Sequence, residues 1–250
     1  QLTFGAYNTI TIVVDNSYPN LPQNPVGGSH MATDETQTNW NGIVGRFELR
    51  INESVYIDDL RVYPNEDLQS VSVQVDVNNH SDAAYNGTLT LRCADAGERT
   101  VTVSLDAGAS ETYTLADYAM PADVKLWSEF DRPLYEMTAS LDNGEAATET
   151  FGMRTFSKSE DGKHFTINGT TKVFLRSEAN CAVFPLTGYA PMDEAGWEKL
   201  FMTYQSYGIN AVRFHSWCPP EAAFDVADRL GMYLQPELSC WDGGMFNDAV

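Results

Sequence analysis

Between Ser70 and Ser81 the chain reads SVSVQVDVNNHS, with Val71, Val73, Val75 and Val77 alternating with Ser72, Gln74 and Asp76. A period of two predicts a strand with one face in a core and the other towards water. GTLTLRC and RTVTVSL repeat the alternation on either side of the turn residues ADAGE, and LYEMTASLDNG ends in an Asn-Gly turn signal. TITIVVDNS, at 9–17, is a further β-branched run ending in turn residues. The first 155 residues therefore predict an all-β region, and short strands separated by turns at this spacing suggest sandwiches. RVYPNEDLQS, at 61–70, carries Pro, Asn and acidic residues and is expected as a linker or a strand crossing between two domains. Residues 70–151 hold enough short strands for one sandwich, whereas 1–63 hold too few to close a second alone. The polar stretch PNLPQNPVGGSHMATDETQTNWN, from Pro19 to Asn41, predicts a long loop, the kind that is usually functional or disordered.

From about residue 156 the period changes. TKVFLRSEA reads as a strand. DEAGWEKLFMTYQSYG reads as a helix capped by Asp193, striped by Trp197, Leu200, Phe201 and Tyr204 and closed by Gly208. INAVRFHS is a strand, PPEAAFDVADRLG a helix with proline at its start and glycine at its end, and MYLQPELS a strand. Strands alternating with helices predict parallel βα units. No G-x-G-x-x-G follows the first strand, so an open dinucleotide-binding sheet is not supported, and a (β/α)8 barrel is the other fold built this way. A whole barrel takes roughly 250 residues, so residues 156–250 would hold about three of its eight strands.

Composition narrows the function classes. Lys+Arg total 15 against 35 Asp+Glu, a formal net charge of −20. Such a chain is repelled by a phosphate backbone and by an anionic membrane surface, so no nucleic acid is expected as a partner. Cys93, Cys181, Cys218 and Cys240 show no C-x-x-C spacing, which argues against a metal knuckle, and are too few for a disulfide scaffold. No run approaches the roughly 18 apolar residues of a membrane span. Neither a signal peptide nor an initiator Met is visible, so a processed or engineered start is expected.

Three stretches together resemble glycoside hydrolase family 2, the group of β-galactosidases, β-glucuronidases and β-mannosidases. TNWNGIVGRFEL, at 38–49, resembles the family's jelly-roll signature. LWSEFDRPLYEMTASL followed by ETFGMRTF resembles the end of its immunoglobulin-like domain. FTINGTTKVFLRSEAN and YGINAVRFHSWCPPEAAFDVADRLGMYLQPE are similar to its first barrel strands. FPLTGYAPMD and HSWCPPEAAF are closest to large β-galactosidase-type members from gut Bacteroidetes. The resemblance implies a multidomain fragment: a partial jelly-roll sugar-binding-type domain at 1–63, an immunoglobulin-like β-sandwich at 64–155, and the N-terminal part of a TIM-barrel catalytic domain at 156–250.

It also implies a retaining hydrolase of terminal β-linked sugars, with oligosaccharide or polysaccharide-derived substrates, of β-galactosidase type and from a periplasmic or secreted bacterial protein. Two carboxylates roughly 5–5.5 Å apart do that chemistry. In the family both are glutamates on later strands, so the acid/base and the nucleophile are expected beyond Val250. Asn52-Glu53 and Asn65-Glu66 read as surface turn residues.

The substrate-binding candidates are Arg213, His215, Glu237, Glu178, Asn180, Trp217 and Trp241. Arg213, where the family has an Arg beside the nucleophile, is either that carboxylate's partner or half of a rim salt bridge. His215 departs from the family pattern by one position, since Ser216 stands where the His is common. It is either a sugar ligand or a packed structural His. Glu237 is a costly acid to bury alone, so it holds a substrate hydroxyl or pairs with a cation such as Arg213. Glu178 and Asn180 are expected to line the same rim after the first strand, although Ser177 replaces a common Gly. Trp217 and Trp241 could stack on a sugar face or pack in the core. Asp242 reads as a turn residue, and Asp225 and Asp228 as solvated or capping. Trp40, with Asn39 and Asn41, could bind carbohydrate or pack a sandwich edge. Some family members carry structural calcium or sodium, but no acidic ligand loop appears, so no metal or cofactor is assigned. Two other classes compete: a non-catalytic carbohydrate-binding or spacing module, and a scaffold that forms homo-oligomers.

Overall fold

The computed structural model describes residues 5–14, 42–94 and 96–238. Its larger part is an antiparallel sandwich of seven strands: β1 Val55–Pro64, β2 Ser70–Asn79, β3 Tyr85–Cys93, β4 Gly97–Leu105, β5 Ser110–Ala119, β6 Tyr135–Leu141 and β7 Ala146–Phe151. One sheet has the order β1-β2-β5 and the other β4-β3-β6-β7. Val71, Val73, Val75 and Val77 all have no exposed surface and meet Leu89, Leu91, Val103, Met137 and Ala139 from the opposite sheet. The predicted Asn-Gly turn joins β6 to β7, with Gly144 at φ +97°, where a Cβ would strain the backbone.

Three expectations about the β region change. Val55–Pro64, placed with the jelly roll, is a full strand of this sandwich, paired along its length with β2. The sandwich therefore begins before the boundary drawn at residues 63/64. RVYPNEDLQS is the end of β1, a turn and the first residue of β2. Asp67 caps that turn by accepting from the backbone N–H of Gln69 and Ser70. Its Pro64 is tolerated at the last position of the strand. Within TITIVVDNS, residues 9–14 form no strand and are exposed, and 15–17 lie outside the described residues. The long loop at 19–41 lies outside them as well.

After the sandwich comes a small antiparallel sheet, in the order β10-β9-β8: β8 Phe156–Lys158, β9 Phe165–Ile167 and β10 Thr171–Val173. Then follow β11 Ser177–Asn180, α1 Glu194–Ser206, β12 Ala211–Phe214, α2 Glu221–Leu230 and β13 Tyr233–Gln235. β11, β12 and β13 are parallel neighbours, as the βα pattern predicts. The single strand expected for TKVFLRSEA is two. Asn210 accepts from the Arg176 backbone N–H at 2.8 Å and donates to Phe174 O at 3.1 Å, pinning a bend between β10 and β11.

Both helices follow their caps. Asp193 Oδ1 accepts from Gly196 N–H at 2.9 Å, and α1 buries Trp197 and Phe201. Pro220 precedes α2, and Gly231 ends it at φ +77°. A Cβ on Gly231 would lie 2.4 Å from Glu129 O, so a close approach and a left-handed backbone both require glycine there. That approach is part of the seam between the sandwich connection 120–134 and α2. Trp127 Nε1 donates to Asp228 O at 2.8 Å, and Arg132 donates to Leu230 O at 3.1 Å. Arg154 lies over the Trp127 ring, 4.7 Å from its centroid, and bonds Asp228 at 3.1 Å. Asp228, expected as solvated or capping, is thus a half-buried partner of this seam.

Candidate functional site

The parallel strands have two unlike faces, because successive side chains point to opposite sides. Val212 and Phe214 are buried against α1 and α2, in a cluster with Trp197, Phe201, Trp217 and Val226. Arg213, between them, points to the other face and is exposed. Register places Ala179, Arg213 and Gln235 side by side across the sheet. One step further along the chain come Cys181, His215 and Glu237, all at carboxyl ends of parallel strands. These residues gather at one end of the sheet, a strand-end cluster here called the cup.

The strongest contact in the cup is Arg213 Nε to Glu237 Oε1, at 2.5 Å. The other carboxylate oxygen of Glu237 accepts from Ser216 N–H at 2.9 Å, and Gln235 Nε2 stands 3.5 Å from Oε1. Arg213's hydrogen bond, helped by the Ser216 amide, holds the Glu237 carboxyl below its ordinary value against the opposing effect of burial. Glu237 therefore works as a fixed anion. His215 shares the Arg213 face, two residues on, and its Nδ1 lies 3.7 Å from Cys181 Sγ. Partial burial pushes the Cys181 thiol up, so it is a thiol in the cup wall at neutral pH rather than a poised thiolate.

Three of the sequence candidates point elsewhere. Glu178 and Asn180 lie within β11, on its helix side, and not beyond it on the rim. Tyr204 of α1 donates to Glu178 Oε2 at 3.2 Å, and Asn180 Nδ2 donates to the same hydroxyl at 3.3 Å. Burial raises the Glu178 carboxyl, and it raises the Tyr204 phenol to about 12. Trp217 has no exposed surface. It packs edge-on against Phe184 and Phe214 and tilted against Trp197, leaving no face for a sugar. The reason is parity: these residues fall on the strand positions that face the helices, or in a turn that folds back under them. Trp241 and Asp242, like Trp40 with Asn39 and Asn41, lie outside the described residues.

Sequence reasoning missed Cys181, Gln235, Ser216 and Tyr204. Strand parity from Arg213 would have found the first two. The sequence shows Tyr204 only as part of an apolar stripe, and its hydroxyl meets Glu178 and Asn180. Ser216 stands out in the sequence only as the replacement of a common His, while its contact to Glu237 is made by its backbone N–H. Glu53 and Glu66 are exposed residues flanking the two ends of β1. Among the described residues no group of three or more His, Cys, Asp or Glu is arranged to hold a metal ion.

A cavity of about 560 Å³ lies away from the cup, between the sandwich and the helices. Asp59, Glu149, Glu221, Asp225 and Asp228 line it, with Arg46, Arg50 and Arg229. Burial, then the nearby negative charges, raises the carboxyls of Glu149 and Asp225. Burial raises Asp228 even though Arg154 opposes the shift. The cavity shares no residue with the Arg213–Glu237 pair, and the strand-end location favours the cup as the candidate site.

Residues 55–154 match the family model of glycosyl hydrolases family 2. An exo-β-D-glucosaminidase of Streptomyces avermitilis is 23% identical over 235 residues, covering 82% of this chain and 24% of that protein. One of Amycolatopsis orientalis is 25% identical over 268 residues, covering 97% and 25%. The chain thus spans about a quarter of the length of the curated relatives it matches. Among solved structures, a GH2 β-galacturonidase of Eisenbergiella tayi bound to galacturonate superposes with a TM-score of 0.63 at 17% identity, over 73% of this chain and 32% of that one. The exo-chitosanase of Amycolatopsis orientalis gives 0.57 at 23%, over 76% and 23%. At these identities the structures speak for the fold alone.

Proposed function

The chain belongs to glycoside hydrolase family 2, and on that premise we propose that it supplies one wall of the sugar site of a retaining exo-β-glycosidase. In this reading the seven-stranded sandwich is the immunoglobulin-like domain, and β11, β12 and β13 are the opening strands of a (β/α)8 barrel. The jelly-roll domain expected at residues 1–63 loses Val55–Pro64 to this sandwich. The observation that carries the reading is the Arg213–Glu237 pair, set with His215 and Cys181 at the carboxyl ends of parallel strands, where barrel enzymes build their sites.

The described part of the cup holds one carboxylate, and Arg213 and Ser216 both bind it. Retaining hydrolysis uses two, one of them protonated to serve the leaving group. In this proposal the 250-residue chain binds a terminal β-linked sugar and does not cut it. β-Galactosides are the substrate type expected from the sequence resemblance. β-Glucosaminides are the second type, on the strength of the relatives' names. Periplasmic or secreted placement remains part of the proposal.

Ligand-detected NMR with nitrophenyl β-galactoside and nitrophenyl β-glucosaminide tests this. Binding of one of them by the purified chain, weakened about tenfold in Arg213→Ala, is the expected result, a change of about 1.4 kcal/mol. Binding that ignores Arg213→Ala would move the function to the sandwich, as a carbohydrate-binding module. Release of nitrophenol by the chain would overturn the inactive-fragment reading.

A further inference from the structure

Ser216 is a non-glycine residue at φ +60°, 2% exposed, at the mouth of the cup. A left-handed backbone is unfavourable for a side-chain-bearing residue and persists only where the surroundings over-determine it. Here they do. His215 N–H and Trp217 Nε1 both donate to Asn180 O, each at 2.9 Å, which ties the turn to the end of β11. Glu237 N–H donates to Trp217 O at 3.2 Å, which ties it to the segment after β13. The buried Trp217 ring anchors the turn from below. What the unusual backbone gains is direction: the Ser216 N–H points at Glu237 Oε2, while Arg213 Nε holds Oε1.

We propose that Ser216 and Glu237 are positioning residues, whose amide and carboxylate fix the Arg213 guanidinium so that its terminal amino groups face the cup. Glu237 then touches the arginine, not the sugar. This removes it from the sugar ligands and leaves Arg213 as the charged group that meets substrate. The inference rests on the proposed function only where it calls the cup a sugar site. The clamp itself stands on the contacts above.

The test uses the whole chain, isotopically labelled, and reads the Glu237 carboxyl titration together with exchange of the Arg213 Nε–H. Ser216→Gly keeps the amide and relaxes the backbone. Ser216→Val cannot comfortably hold φ +60°, since a β-branched residue there is a genuine outlier. In the wild type and in Ser216→Gly, Glu237 is expected to titrate below the ordinary glutamate range, with Arg213 Nε–H protected. In Ser216→Val the Glu237 titration should move up towards that range, and Arg213 Nε–H exchange should quicken by about tenfold, the loss of one charge-assisted hydrogen bond. Glu237→Gln provides a second route if Ser216→Val fails to fold. It should quicken the same exchange while the Trp217 indole N–H, bonded to Asn180 O, stays protected. Titration of Ser216→Val like the wild type, or of Ser216→Gly like Ser216→Val, overturns the proposal. So does an unchanged Arg213 exchange rate in Glu237→Gln. If the clamp passes and neither glycoside binds, the functional reading fails while the clamp stands.

Discussion

The cup and the cavity between the sandwich and the helices both bring carboxylates next to arginines, yet they treat the acids in opposite ways. In the cup one carboxylate meets a guanidinium and a backbone amide, and Glu237 is held low. In the cavity several carboxylates from β1, β7, α1 and α2 face one another across a gap, and Glu149, Asp225 and Asp228 are held high. Asp228 is the instructive case. Arg154 sits 3.1 Å away, but burial outweighs the ion pair. Pairing decides the direction when the partner is in contact and the acid stays solvated. Burial and like charge decide it when they do not. A charge pair alone thus does not mark a site, and the strand-end geometry distinguishes the cup.

Trp127→Ala should have the largest effect on this contrast, because it removes the seam that holds Asp228, one of the acids lining the cavity. The ring is 1% exposed, stands under Arg154 and donates to Asp228 O. Truncating a buried tryptophan costs about 3–5 kcal/mol, read as a lower denaturation midpoint. The cup should keep its Glu237 titration if it is independent of the seam. A simultaneous rise of Glu237 towards ordinary values would show that the two regions are one device.

Arg213→Ala has a smaller effect on stability. The pair is partly exposed, with side-chain exposures of 44% for Arg213 and 24% for Glu237, so solvent screens it. A loss of about 1 kcal/mol or less follows, and thermal unfolding should shift by about 2–4 °C at most. Glycoside binding should fall by more than stability does. Equal losses would make the pair a structural salt bridge.

The sequence carried the regular parts of this architecture well. The β2 valines declare their face because a strand repeats every two residues, and Asp193, Pro220 and Gly231 punctuate both helices as capping chemistry requires. Arg213 and Glu237 were legible as a pair because a half-buried acid calls for a cation nearby. What escaped depends on contacts distant in sequence. β8, β9 and β10 have three residues each, too short for any period to show. The break inside TKVFLRSEA is made by Asn210, 34 positions away from Arg176. Glu178 and Asn180, expected on the rim, face the helices because the strand's parity depends on where that break falls.

pH gives the smallest effect and separates the two regions by sign. Glu149, Asp225 and Asp228 bind protons more tightly when folded, so their contribution is fully present below the ordinary carboxylate range. It is lost as pH rises from that range through their raised values. Glu237 runs the other way: its contribution is present above the ordinary glutamate value and is lost as pH falls through its lowered one. Mild acidification towards the upper edge of the carboxylate range should therefore stabilise the cavity while leaving the cup intact. Glu149 and Asp225 remain reached by solvent, so the gain in midpoint should be only about 1–2 °C. Salt should reduce it, because the repulsion across the cavity acts over distances comparable to the Debye length of about 10 Å at 0.1 M. The double variant Glu149→Gln with Asp225→Asn should be flatter over the same range and less sensitive to salt. A double variant with the wild-type slope would place the pH response outside the cavity, and the contrast between the two carboxylate environments would lose its energetic meaning.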